Sequence, residues 1–217
     1  MKEENVVNYY MLCHKLKKII RTGWLDWNVD ADRLESVAEH IYGTQMLAIA
    51  IKSEYPEYQD INLEKVILML AIHEIGEATI GDLTQFQITK AEKIKIEYAA
   101  VSKTLKGLID GPKIEQLFIE FDEHKTKDAF FAHLCDKLEC DIQAKIYDEE
   151  ANIDLNNQDD NISFKHELVQ KLLNKYQNDE YAFSKMWLDF GQEKYNYDQP
   201  FIDISNYVKE NQITKKS

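Results

Sequence analysis

Apolar residues recur along much of this chain at the spacing of a helix face. Val6, Val7, Tyr10, Leu12, Leu16, Ile19 and Ile20 follow that rhythm, which predicts a first amphipathic helix over residues 5 to 20. Residues 21 to 35 break it with Arg21-Thr22-Gly23-Trp24 and a polar stretch. Ser36 followed by Glu39 has the form of a capping box, so a helix is expected to begin immediately before His40, run through Met46, Leu47, Ile49 and Ala50, and stop before Pro56. Asn62 can cap the next helix, Leu63 to about Glu77, whose strongly apolar character places it centrally. Gly81-Asp82 marks a loop, and helical periodicity resumes from Thr89 to Leu108. Gly111-Pro112 separates that element from a helix ending near Asp122, and residues 126 to 148 read as one long helix. Asp148 to Asn161 holds six acidic and no basic residues and reads as a solvated loop. Two or three shorter helices follow, with Tyr181, Phe183, Met186, Trp187 and Phe190 as a core or dimer-packing stripe, and the last four residues, Thr214 to Ser217, are expected to fray. Nothing alternates as a strand, and no repeat is visible. The expected fold is all-α.

Composition narrows the class. A chain of 217 residues with 44% hydrophobic content suits one largish domain with its own core, and 7 Gly with 3 Pro favour long helices. No apolar run approaches the ~20 residues of a membrane span, and Met1-Lys2-Glu3-Glu4-Asn5 lacks the apolar stretch of a signal peptide. Cys13, Cys135 and Cys140 form no CxxC pair, which argues against a disulfide framework or a thiolate zinc site and makes the cytoplasm the expected compartment. A net charge of −13 opposes binding to a nucleic-acid backbone. It leaves room for a small phosphorylated substrate, because a metal and a few local cations can reverse the potential inside a cleft. Among 26 basic side chains only Arg21 and Arg33 are arginine, and both precede His40 closely. Either lysine-favouring codon usage leaves arginine rare everywhere, or these two sit where a planar fork must meet phosphate or carboxylate.

The candidate chemistry lies in an ordered set: His40, then His73-Glu74, then Asp136, each within a predicted helix. Two imidazoles and two carboxylates suit a divalent metal better than a thiolate-type structural zinc does. In His73-Glu74-Ile75-Gly76-Glu77, His73 and Glu77 are four apart and would share a helix face. Glu77 is then placed to take a proton from metal-bound water or give one to a leaving oxygen. Asp82, just past that helix, would orient Glu77 or bind a substrate hydroxyl. The HExxH pattern of zinc peptidases fails here, because Glu77 stands where the second ligand histidine is required. The other histidines read as ordinary: His14 as surface or interface, His124 as exposed or capping, His133 as a buried residue or a hydrogen-bond partner of Asp136, and His166 without a ligand partner.

Five segments in this order resemble the HD-domain phosphohydrolases, and within them the small helical group of bacterial 5'-deoxynucleotidases and the eukaryotic HD-domain-containing protein 2. They are Arg21-Thr22-Gly23-Trp24, Glu35-Ser36-Val37-Ala38-Glu39-His40, Ala71-Ile72-His73-Glu74-Ile75-Gly76-Glu77, Gly81-Asp82-Leu83-Thr84 and Asp136-Lys137-Leu138-Glu139. The likeness spans roughly residues 10 to 150. It implies a compact HD-type helical bundle with a core over residues 1–150 and a helical extension, 151–217, packing on the same domain. It further implies one divalent metal (Mn, Co, Mg, Fe, Ni or Zn) on His40, His73, Glu74 and Asp136, with Glu77 and Asp82 catalytic. Arg21, Trp24 and Arg33 would face the substrate, although Trp24 reads equally well as a core anchor and Arg33 as a surface partner of acids. The implied activity is removal of the 5'-phosphate from (deoxy)nucleoside monophosphates, with a homodimer as the assembly. Where the family carries Asp, this chain has Glu74, so binding of metal or nucleotide without turnover stands as the alternative.

Overall fold

A computed structural model describes residues 1–83 and 90–214, with the backbone alone at Lys90 and Ala91. Thr84 of the Gly81-Asp82-Leu83-Thr84 segment, Thr89 and residues 215–217 lie outside the described residues. The chain is all-α. Its α-helices are α1 (Lys2–Cys13), α2 (Thr22–Asp26), α3 (Val37–Glu54), α4 (Leu63–Ile72), α5 (Glu77–Ile80), α6 (Lys90–Leu105), α7 (Gly111–Glu123), α8 (Lys127–Glu149), α9 (Glu167–Lys175), α10 (Ala182–Tyr195) and α11 (Gln199–Glu210). No strand occurs among the described residues; a lone antiparallel bridge joins Ile20 to Ser36. None of the described helices is long and apolar enough to cross a membrane.

The chain divides into two compact units: Met1–Thr22 with Glu35–Cys135, and Gly23–Leu34 with Asp136–Ser217. The second half of α8 groups with the tail because Ala144 and Tyr147 belong to the tail's core, as do Trp24 and Trp27 from far upstream.

In the first unit the expected helix over 5 to 20 stops at Cys13 and tightens into a 3-10 turn, His14–Lys17. The turn carries Leu16 into a small core with Val37 and Ala78, and the segment beyond it pairs with the start of α3, through Val37 N–H to the Ile19 carbonyl and Arg21 N–H to the Glu35 carbonyl. The α3 cap forms as its sequence predicts: Glu39 N–H donates to Ser36 Oγ at 3.3 Å, and Ser36 N–H donates to Glu39 Oε2 at 2.9 Å. Asn62 caps α4 through Lys65 N–H at 3.2 Å. The helix expected to reach Glu77 instead ends at Ile72 and continues as tight turns, with Ile75 N–H on the Ile72 carbonyl and Glu77 N–H on the Glu74 carbonyl. Gly76 sits in those turns against α6, where a Cβ would meet Val101 at 3.3 Å, so the missing side chain permits the close approach. Ile72 and Ile75 then join Val101, Leu105 and Phe118 in one apolar cluster.

The second unit is built on aromatics. Trp24, Trp27, Tyr147, Phe183, Met186 and Phe190 form its core together with Val169, Leu172 and Leu173 of α9. The acidic loop is less solvated than its composition suggests: Gln158 is buried, donating to the Trp27 carbonyl at 2.8 Å, and Asn161 donates to Gln158 at 2.8 Å. Thr214 does not fray. Its N–H and hydroxyl donate to Glu149 at 2.7 and 2.6 Å.

Candidate metal and phosphate centre

The first unit brings six of the sequence-predicted residues together. His40 closes the first turn of α3, its N–H on the Ser36 carbonyl at 3.1 Å, and its side chain is fully buried. His73 follows the last residue of α4 and is 6% exposed. Its Nδ1 lies 2.7 Å from the Leu70 carbonyl, which in the neutral ring requires the proton on Nδ1 and leaves the Nε2 lone pair as a donor toward metal. That Nε2 faces His40 Nε2 at 3.4 Å. Either one of these nitrogens carries a proton or a cation takes both lone pairs. One donor atom from each of His40, His73 and Glu74 lies within 4.8 Å of the others.

Glu74 stays with the imidazoles despite its extra methylene. Its Oε1 is 3.7 Å from His73 Nε2 and accepts from Arg21 Nη1 at 3.2 Å. Two nitrogens and a carboxylate oxygen at this spacing, mostly buried, fit a divalent first-row ion.

Glu77 is buried beside them, and one of its carboxyl oxygens, Oε2, has no hydrogen-bond partner. Burial first, then the charges of Glu74 and Asp82, push its pKa well above the usual carboxylate range, and Arg21 opposes them. These surroundings favour its neutral form, with a hydrogen bond to Glu74. The tight turns after Ile72 set Glu77 one turn past Glu74, rather than on the face of an unbroken helix with His73. Asp82 is pinned to the segment next to Arg21: Thr22 N–H donates to Asp82 Oδ2 at 2.6 Å, and the Thr22 hydroxyl donates to the Asp82 carbonyl at 2.8 Å.

The other three predicted residues belong to the second unit. Asp136 is buried, with Oδ2 at 2.7 Å from Lys137 Nζ. Trp24 is 2% exposed and its ring packs on Tyr147 and Trp187 with centroids 5.2 and 5.5 Å away, so its face serves the core. Arg33 is exposed.

Periodicity did not single out Lys93 and Glu97 on α6. Lys93 donates to the Leu83 carbonyl at 2.8 Å in the Gly81-Asp82 loop, and burial, with the charge of Glu74 among its neighbours, raises the Glu97 pKa. Their i, i+4 spacing was the available signal. Nor was the stacking of His124 on His133 legible, with centroids 3.8 Å apart, since it depends on α7 meeting α8.

Helices alone, with buried imidazoles and carboxylates gathered around the end of α4, define a helical protein with a metal-type donor cluster. The HD domain family model matches residues 13–177, and the chain belongs to that family. It is 33% identical over 153 residues to the 5'-deoxynucleotidase HDDC2 of Dictyostelium discoideum, covering 67% of this chain and 79% of that one. The 5'-deoxynucleotidase HDDC2 of Danio rerio is 29% identical over 150 residues, covering 67% and 71%. Among solved structures, the PH0347 protein of Pyrococcus horikoshii OT3 shares the fold with a TM-score of 0.61 at 22% identity, covering 94% of this chain and 98% of that one. A protein of Magnetospirillum magnetotacticum MS-1, described as a predicted metal-dependent phosphohydrolase, shares it at 0.57 with 21% identity, over 95% and 96%.

Proposed function

We propose that this protein is a metal-dependent phosphomonoesterase that removes the 5'-phosphate from (deoxy)nucleoside monophosphates. The observation that carries the reading is the buried His40–His73–Glu74 cluster, with the carboxyl of Glu77 and the guanidinium of Arg21 both against Glu74. Relatives named 5'-deoxynucleotidase HDDC2 support the substrate class. His40, His73 and Glu74 would hold one divalent ion, with Asp136 as the fourth donor. A metal bound there activates water and neutralises charge on phosphoryl oxygens.

The chain's own groups do the rest. The Leu70 carbonyl keeps the His73 proton on Nδ1, so Nε2 is always presented as a base. Glu77, whose neutral form burial favours, would donate its proton to the departing 5'-oxygen, which leaves as the nucleoside hydroxyl. Arg21 supplies a planar pair of N–H groups to the phosphoryl oxygens, and Glu74 holds that guanidinium at the site beforehand. Asp82 anchors the Gly81-Asp82 loop to Thr22 and so fixes the residue beside Arg21. Phosphate recognition rests here on Arg21, because the ring of Trp24 is occupied in packing and Arg33 lies on the exposed surface. A cytoplasmic homodimer is the assembly and setting consistent with the sequence reading.

The test is phosphate release from a panel of deoxy- and ribonucleoside 5'-monophosphates by metal-stripped protein resupplied separately with Mn, Co, Mg and Zn. Release that depends on metal is the expected result and identifies the preferred ion. Folded, metal-loaded protein that releases none from any monophosphate would remove the nucleotidase reading.

A further inference from the structure

The Lys137 side chain leans back along α8 onto its predecessor. Its Nζ is 2.7 Å from Asp136 Oδ2, the shortest kind of charge-assisted contact a carboxylate makes with an ammonium. The ammonium also lies 5.5 Å from the ring centroid of Tyr195, at the end of α10. One turn further along α8, Asp141 is buried and accepts from the Tyr197 hydroxyl at 2.8 Å. Asp141 also packs against Gly191 of α10, where there is no room for a Cβ. The surroundings of Lys137 thus include Tyr195 from α10, together with Asp141, itself held by Tyr197 and Gly191. Asp141 feels the charges of both Lys137 and Asp136.

We propose that Lys137 is a positioning residue that orients the carboxylate of Asp136 for metal. The inference rests on the reading of Asp136 as a metal ligand. A carboxylate donor swings freely about its last two bonds unless another group takes one of its oxygens. Lys137 takes Oδ2, and the Tyr195 face with the Asp141–Tyr197–Gly191 packing keeps the ammonium from turning away. Partners of this kind outside the ligand set set metal affinity by orienting the ligand, and their removal costs about 10- to 100-fold in affinity. An ammonium so close to a ligand also repels an incoming dication, so the two effects have opposite sign and a measurement decides between them. Orientation is the effect assigned here, because the Tyr195 ring lies beside the ammonium and the buried Asp141 feels its charge one turn along α8.

The experiment titrates Mn(II) alone into the metal-stripped full chain, reading unbound Mn(II) by electron paramagnetic resonance, for the native protein, Asp136→Asn, Lys137→Met, Lys137→Arg and Tyr195→Leu. Asp136→Asn is expected to lose Mn(II) most severely. Lys137→Met should weaken it by about 10- to 100-fold, with an unchanged far-UV circular dichroism spectrum and with KM for the nucleotide unchanged at saturating metal. Lys137→Arg, which keeps the charge and the donor, should restore most of the affinity. Tyr195→Leu should weaken it by a smaller factor, and it carries the test if Lys137→Met does not fold. Weak binding by Asp136→Asn alongside native or tighter binding by both Lys137→Met and Tyr195→Leu overturns the positioning role while leaving Asp136 as a ligand. Native binding by Asp136→Asn overturns the ligand assignment itself, and the positioning role with it.

Discussion

Asp189 and Glu149 of the second unit are buried in the opposite way from Glu77 of the first. Each of these two acids is answered by cations and donors. Asp189 accepts from Lys175 at 2.6 Å, Lys209 at 2.8 Å and the Tyr176 hydroxyl at 2.5 Å. Glu149 takes Lys145 at 3.1 Å together with the backbone of Ile213 and Thr214. These partners hold the Asp189 and Glu149 carboxyls below the usual range, against the pull of burial. In the first unit Glu77 is buried against two other acids, keeps an oxygen without a partner, and has its pKa driven up. A buried acid that is compensated is a structural member. One that is crowded with like charge and left short of partners is held ready for a proton or a cation, at a cost to stability that function must justify.

That contrast can be broken from either side. The largest effect is expected at Glu77. Glu77→Gln keeps the shape but cannot give up a proton, so kcat should fall by about 100- to 10,000-fold, while Mn(II) affinity and the urea midpoint hold or rise. Steady-state kinetics beside a denaturation curve separates these outcomes, and full activity in the variant would end the proton-donor role. The reverse pattern is expected at Glu149. Glu149→Ala strands the Lys145 ammonium, 1% exposed and 4.2 Å over the Tyr181 ring, and releases the Thr214 anchor. Breaking a buried pair in this way costs about 3–5 kcal/mol. Urea unfolding should show the loss, with turnover of the remaining folded protein near native.

The smallest effect concerns pH. Burial raises the Asp141 carboxyl well above its ordinary value, as it does Glu77. A raised carboxyl pKa means that the folded chain still holds a proton the unfolded chain has released. Stability is then full below the ordinary carboxylate range and declines as pH rises from there through the raised values. Asp141→Asn keeps an acceptor for the Tyr197 hydroxyl and should remove part of that decline, and Glu77→Gln should remove another part. Urea midpoints of metal-free protein at several pH values measure both slopes. A slope that neither substitution alters would place the proton on other groups.

Periodicity and caps carried most of the helical layout. Ser36 with Glu39 and Asn62 announced the starts of α3 and α4 correctly, because a cap is a local exchange between a side chain and the nearest orphan N–H groups. The order of His40, His73-Glu74 and Glu77 was likewise legible, since donor chemistry belongs to the residue type. The end of α4 was not. The pattern of apolar residues continues through Ile75, but Gly76 pressed against α6 and the burial of Ile75 favour tight turns from His73 onward. That change moves Glu77 from the face of His73 to the flank of Glu74.

Amino-acid type and spacing by themselves determined that this chain is helical, that it carries a set of nitrogen and oxygen donors suited to metal, and where helices α3 and α4 begin. Only the tertiary structure decided which carboxylates have partners. Charge compensation depends on groups brought together from far along the chain: Thr22 with Asp82, Arg21 with Glu74, Glu149 with Thr214. It also decided that Trp24 serves a core, because burial is set by neighbours that no local pattern names.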